Sequence, residues 1–341
     1  MAITILSDRI QIGNSYLMES STGLLFTGEV NAKNTVAGIN GQGLTSGYSS
    51  GGLLSPPIAG TSRIDQFPFA TNAPATNVGS LSVIRQGAAG QSSPVSGYTS
   101  GGSTVTPLNP PAVASNIIDK FPFASNGTAT DVGDLTVARG NTAGQSSSTT
   151  GYSSGGAIGN VIDSFPFASD ANATDVGDLT AGRYGAASQS SETFGYTSGG
   201  GPLPPPSAFR IDKFPFATNA NATTVGNLSQ ARISTAGTTS FVSGYTSGGL
   251  LSPAPTQLNL ATIDKFPFAT DTSASFVGTL TLGRVNIAAQ SSLSMGYSSG
   301  GIVNPSTLSN TIDSFPFATD ANASSVGNLS QARQAAAGQQ V

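Results

Sequence analysis

Two short phrases, each written six times at fixed distances, limit what this chain can become. One is Gly-Tyr-Ser/Thr-Ser-Gly-Gly, carrying Tyr48, Tyr98, Tyr152, Tyr196, Tyr245 and Tyr297. The other is Ile-Asp-x-Phe-Pro-Phe-Ala, carrying Asp65, Asp119, Asp163, Asp212, Asp264 and Asp313. An arginine follows each aspartate by 20 residues (Arg85, Arg139, Arg183, Arg232, Arg284, Arg333), and the next tyrosine follows each of the first five arginines by 13. Only the interval from tyrosine to aspartate varies: 17, 21, 11, 16, 19, 16. Fixed intervals mark segments built into a regular framework, and the varying interval marks a surface loop.

Each unit holds four strand candidates. In the second unit they are Gly87–Ser93 with small residues throughout, the tyrosine block ending at Gly101-Gly102, Ile118–Ala124, and Thr130–Thr136. Phe121 and Phe123 share one face of the third by period two. Turn residues separate the strands, and no helical period of useful length occurs. Four short strands in a unit near 50 residues, six times over, predict an all-β chain folded as a β-propeller of six four-stranded blades. A β-solenoid is the main rival, with rungs that are usually shorter. Spare copies of the first strand stand at both ends, Thr35–Gln42 and Gln334–Gln340. They imply closure by overlap. The alternative is a seventh blade, in which the C-terminal strand pairs with N-terminal ones around Ile3–Ile12, Ser15–Met18 and Leu24–Thr27. The expected division is a strand-rich attachment segment at 1–34 and the propeller at 35–341.

The order of landmarks resembles the kelch family: arginine, small-residue strand, double glycine, an Ile/Val-acid-x-aromatic strand, a Leu-bearing strand, arginine again. The likeness covers roughly residues 35–341 and implies kelch-like blades. It departs where a tryptophan is usual in the fourth strand, since Val78, Val132, Val176, Val225, Val277 and Val326 stand near that place. The phrases Ile-Asp-Lys-Phe-Pro-Phe-Ala and Gly-Tyr-Thr-Ser-Gly-Gly also resemble repeats of propeller proteins encoded by phages and large aquatic viruses.

Composition narrows the chemistry. Charged residues make up 9% of the chain, against roughly 25% in average soluble proteins. Low complexity is not the reason, because the apolar residues recur in register. The net charge of −4, without a basic run, argues against a nucleic-acid partner. Without Cys or His there is no thiolate chemistry, and zinc or copper sites are excluded in practice. No signal peptide is visible, and no apolar run suits membrane insertion. Gly47–Gly51, Gly151–Gly155 and Gly296–Gly300 fit the G-x-S-x-G nucleophile pattern, but there is no histidine base, and the other copies carry Thr99, Thr197 and Thr246. Asp170-Ala-Asn-Ala-Thr-Asp175 offers alternating oxygen ligands. It reads better as an Asx-turn than as a calcium loop. No catalytic, cofactor or metal residue is expected, and the six Asp and six Arg read as structural pairs within or between blades.

In an antiparallel blade the loops after strands two and four open on one face. The first set is Leu53–Arg63, Ser103–Asn116, Ala157–Asn160, Gly201–Phe209, Leu250–Ala261 and Ile302–Asn310. Prolines stiffen these loops: Pro56, Pro57, Pro110, Pro111, Pro204, Pro205, Pro253, Pro255 and Pro305. Pre-ordered loops bind at lower entropic cost, so these prolines mark the candidate recognition surface; neutral drift of surface loops competes as an explanation. The expectation is a non-enzymatic virion protein (tail, fibre or capsid surface), made in a host cytoplasm. It would adhere to host glycan or receptor by these loops and touch other virion proteins, or further copies of itself, through residues 1–34 and its faces. The alternative is a cellular kelch-like adaptor, and a propeller glycan lyase or glycosidase comes last.

Overall fold

The computed structural model describes the strands Ile3–Ile5, Arg9–Ile12, Ser15–Ser20 and Gly23–Thr27, and residues 42–341 apart from 56–58, 107–108, 126, 158, 203–206, 252–257 and 305; for 105–106 and 109–111 it describes the backbone alone. The chain divides into two compact units, Met1–Gly38 and Ile39–Val341. The four strands of the first form one antiparallel meander, in sequence order.

The second unit is a six-bladed β-propeller, each blade a four-stranded antiparallel sheet. Blade 2 runs outward from Ala89–Ser92 through Ser96–Ser100 and Ile117–Pro122 to Thr130–Asp134. Blades 3, 4, 5 and 6 repeat this order from inner strands Ala143–Ser146, Ala187–Ser190, Ala236–Thr239 and Ala288–Ser291. Blade 1 takes its second, third and fourth strands from Ser46–Ser50, Arg63–Pro68 and Thr76–Ser80, and its innermost from Ala337–Gln340 at the other end of the chain. The inner strands touch one another all the way round, so the ring is closed.

The C-terminal strand pairs Gln339 with Tyr48, so the seven-bladed alternative is not realised; among the described residues the N-terminal strands pair with one another. The other expected first strand, Thr35–Gln42, lies outside the described residues except for Gln42. Its sequence explains why the C-terminal copy fits better. In the register of the other blades, Gly41 would stand where Gln339 makes its hydrogen bonds and could make none of them.

The core lies between blades. Tyr98, Ile118 and Leu135 of blade 2 pack against Phe165, Phe167 and Ala173 of blade 3, with Val132 partly buried beside them. The Tyr98 ring stacks on Phe167 at 4.8 Å between centroids and tilts against Phe165 at 5.6 Å. The same triad recurs at every joint, and Tyr297 against Phe67 and Phe69 closes the circle at 5.6 and 4.7 Å. Aromatic pairs at such separations add about 0.5–1.5 kcal/mol beyond area burial. The motif's glycines follow from this packing: Gly97 pairs with Phe121, and a Cβ on it would enter that ring. Gly101 and Gly102, at φ +66° and +98°, take the left-handed exit that leads into the variable loop.

Each outer strand carries a bulge. Ile118 pairs with Gly133 but Asp119 with Asp131, leaving Val132 unpaired in the ladder and turned to the core. The five equivalent valines also pack into the joints. The loop after the third strand of the next blade then covers the exposed edge: Ala173 N–H donates to Asp134 O at 2.8 Å and Asp134 N–H to Asn172 Oδ1 at 3.0 Å. An unpaired edge is an aggregation template, and this lap joint removes part of it.

Candidate functional sites

The arginines stand on the crossing from one blade's outer strand to the next blade's inner strand. Each reaches forward to the aspartate of the blade it is about to enter. The pairs are Arg85–Asp119 (2.7 Å), Arg139–Asp163 (3.0 Å), Arg183–Asp212, Arg232–Asp264 (2.5 Å), Arg284–Asp313 (2.7 Å) and Arg333–Asp65 (3.2 Å). The last ties the end of blade 6 to blade 1 and completes the ring.

All six carboxylates are fully buried, and none of the arginines is more than 4% exposed. A charge at such depth requires partners. Asp119 also accepts the amide and hydroxyl of Ser82, at 3.0 and 2.5 Å, and Arg85 donates to the carbonyls of Gly101, Ile117 and Thr99. Ser330, Thr136, Thr180, Ser229 and Thr281 serve the other aspartates in the same way. Burial pushes the Arg85, Arg183, Arg232, Arg284 and Arg333 guanidiniums below their ordinary pKa, and the partner carboxylate pulls each back up. At Asp212 burial opposes ionisation, but Arg183, the Thr180 hydroxyl and the Thr180 amide together hold the carboxyl below its usual range. The geometry is that of an ionic pin between consecutive blades. Every pair is sealed from solvent, so these groups have no path to a ligand.

A second tie was not read from the sequence. Gln91, Gln145, Gln189, Gln290 and Gln339 lie on the inner strands, each at most 1% exposed. Gln339 Nε2 donates to Ser50 Oγ of its own blade and to Tyr98 O and Thr99 Oγ1 of the next, all at 2.9 Å. Gln145 and Gln189 repeat this pattern. Blade 5 has Thr238 at this place, with its hydroxyl unpartnered among the described residues. The signal was present as a glutamine seven residues before four of the six tyrosines, with a fifth copy, Gln339, in the C-terminal spare strand.

The serines of the G-x-S-x-G pattern, Ser49, Ser153 and Ser298, are 0% exposed. The nearest function for Ser298 is a hydroxyl bond to Ser247 at 3.0 Å. The expected Asx-turn at Asp170–Asp175 is partly something else. Asp175 Oδ1 does accept the Gly177 amide locally. Asn172 instead crosses to the preceding blade, and Asp170 pairs with Lys120 at 2.8 Å. Lys213–Asp271 and Lys265–Asp320 repeat that surface bridge at 2.9 Å. Among the described residues no group of acidic side chains is arranged to hold a metal ion.

The loops after the second strands and the arginine crossings share one face, as antiparallel alternation requires. Their stems are described: Leu53–Leu54 pairs with Ala59–Gly60, Ser103–Thr106 with Asn109–Ala114, and Ile302–Val303 with Thr307–Leu308. Pro110 and Pro111 lie on the returning strand of the second of these hairpins. Pro56, Pro57, Pro204, Pro205, Pro253, Pro255 and Pro305 lie outside the described residues. The loops bridge back to the crossings, as in Gln86 with Ser103 and Tyr184 with Gly201. Among the described residues, these loop stems are thus tied to the neighbouring crossings.

Compared with known proteins, the chain matches no family model and no curated protein. The fold class therefore rests on the geometry above.

Proposed function

We propose that the chain is a non-enzymatic recognition and assembly protein of a virus particle, a kelch-like propeller carried on a tail, fibre or capsid surface. One observation carries the reading: six unlike loops, many proline-stiffened, stand on one face of a ring whose other intervals never change. A framework this uniform is a rigid base, and rigid bases lower the entropy cost of loop recognition. The buried ionisable groups support a non-catalytic role, because each aspartate and arginine of the motifs is committed to a pin between blades. The low charge and the absence of Cys and His suit a component assembled into a particle. Residues 1–34 dock it to other virion proteins, and the loop face meets host glycan or receptor.

The landmark order favours a second reading, a cellular kelch-like adaptor that grips a protein partner on the same face. Mass spectrometry of purified particles separates the two: presence supports the first and absence supports the second. The recognition face is tested by shortening Ser103–Asn116 to the length of Ala157–Asn160 and comparing glycan-array binding with the full chain. Identical binding removes that loop from the site. A reducing-end assay on polysaccharides addresses the enzymatic alternative.

A further inference from the structure

The N-terminal meander has two unlike faces. Residues paired across an antiparallel ladder share a face, and so do alternate residues along each strand. Ile3 pairs with Ile12, and Ile5 with Ile10. Ile10 pairs in turn with Leu17 and Ile12 with Ser15, then Leu17 with Phe26 and Glu19 with Leu24. One face therefore carries nine register positions, and seven of them are Ile, Leu or Phe. Ile5, Ile10, Leu17 and Phe26 form an unbroken apolar row across all four strands. The other face has Thr4, Arg9, Gln11 and Ser20 among its positions.

A sheet that is apolar on one face needs a second layer against it. Among the described residues the unit Met1–Gly38 has one sheet and no second layer. The run 28–38 brings only Val30 and Val36 as large apolar residues, too few to cover seven. The missing layer must span four strands, about 14 Å, and be as apolar as the face it covers. A second copy of the same sheet meets both conditions. Charge agrees with this. The face carries one ionisable residue, Glu19, so it has little to attract a strongly charged partner. A two-fold axis along the apolar row sets that row against its copy. It brings Glu19 opposite the partner's Ser15, not opposite another Glu19. We propose that the meanders of two chains stack face to face as a two-layer β-sandwich, making the protein a dimer through residues 3–27. This sharpens the attachment role given above to residues 1–34. The apolar face is taken by a second copy, and the face with Arg9 and Gln11 is left for a different protein.

Sedimentation velocity of the full chain across the micromolar range tests this. The expected result is a reversible monomer–dimer equilibrium. Leu17→Ala should raise the dissociation constant roughly tenfold, because each copy loses aliphatic area in the middle of the row. Ile10→Lys with Leu17→Lys should raise it roughly a hundredfold, since the dimer would then bury ammonium groups. Thr4→Lys with Gln11→Lys, on the other face, should leave it unchanged. Circular dichroism checks each variant for the native spectrum; if the Ile10 and Leu17 double variant does not fold, Leu17→Ala and the wild type decide. A wild-type chain that stays monomeric throughout overturns the proposal, and so does an assembly larger than two. A dimer that Leu17→Ala leaves unchanged, or that Thr4→Lys with Gln11→Lys dissolves, overturns it as well. The purified chain suffices for every arm, so failure here is separate from failure of the particle reading, which mass spectrometry decides.

Discussion

Blade 5 is a natural control for the glutamine tie, and exchanging its residue with that of blade 1 measures what the tie contributes. Gln339 is 0% exposed and makes three donor contacts at 2.9 Å, two of them to the neighbouring blade. The amide nitrogen has two hydrogens to share among the three acceptors, so at about 1 kcal/mol net for each buried hydrogen bond it stabilises by about 2 kcal/mol. Fixing a glutamine side chain offsets about 1 kcal/mol of that through lost rotamers. Replacing Gln339 with threonine leaves the Ser50–Thr99 hydroxyl pair at 2.8 Å intact. Gln339→Thr should therefore lower the unfolding free energy by about 1 kcal/mol. The reverse change, Thr238→Gln, places an amide within reach of Ser247, Ser298 and the Tyr297 carbonyl, the positions that correspond to Ser50, Thr99 and Tyr98. It should raise stability by about 0.5 kcal/mol, the smaller gain reflecting the extra volume to be fitted. Urea unfolding followed by tyrosine fluorescence and circular dichroism reads both; the chain has no tryptophan to obscure the tyrosines. A Gln339→Thr loss below about 0.5 kcal/mol, within ordinary surface scatter, would refute the claim that this amide joins the blades. So would a folded Thr238→Gln variant less stable than the parent.

Two further outcomes follow from the joints. Burial pushes Tyr48 and Tyr196 up to about 12, and the four other joint tyrosines also upward. A raised folded pKa means stability that is complete below the ordinary tyrosine value of about 10 and is lost as pH rises through the folded value. Alkaline unfolding between about pH 10 and 12 should therefore coincide with tyrosinate absorbance; tyrosines that ionise while circular dichroism stays native would contradict it. Gly177 sits at φ +151°, and a Cβ on it would lie 2.6 Å from the Ala220 carbonyl oxygen of the loop lapping over it. Gly177→Ala should cost about 1–3 kcal/mol in urea unfolding, as an overpacked contact does.

How much of this was legible follows from what repeats. The strands, the six blades and the aromatic joints could be read because Tyr98, Ile118, Phe121 and their equivalents each recur at one spacing, and the core uses them six times. The partner of each aspartate could not be read. Asp119 lies 20 residues before Arg139 in the same repeat, but its salt bridge goes backward to Arg85. Spacing is blind to that choice, because only the fold shows which blade the crossing enters. The lap joint was hidden for the same reason. Asn172 looks like a local turn former in sequence, and its acceptor role depends on the preceding blade's Asp134. Each miss is a contact between adjacent repeats, where a one-unit shift leaves the periodic pattern unchanged.

That backward direction also bears on closure. Each joint has an aromatic triad, an ionic pin and a lap, so five joints join blades that are consecutive in sequence and one joins the ends. At the closing joint Arg333 reaches Asp65, Tyr297 reaches Phe67 and Phe69, and Ala75 N–H donates to Asn328 O at 2.7 Å. The inner strand adds the ladder from Ala337 opposite Ser50 to Gln340 opposite Gly47, and Val341 O accepts the amides of Thr45 and Ser46 at 2.6 and 2.9 Å. Ending the chain at Arg333 keeps the pin, triad and lap but removes the strand. It also bares the edge of Ser46–Ser50, a strand buried along its whole length. Such an edge recruits another strand. The truncated chain should self-associate beyond the full chain in sedimentation velocity, and a synthetic Gln334–Val341 peptide should suppress that association by filling the slot. If the truncated chain keeps the full chain's melting temperature and sedimentation coefficient, the pins and triads alone hold the circle, and the overlap strand is not what closes it.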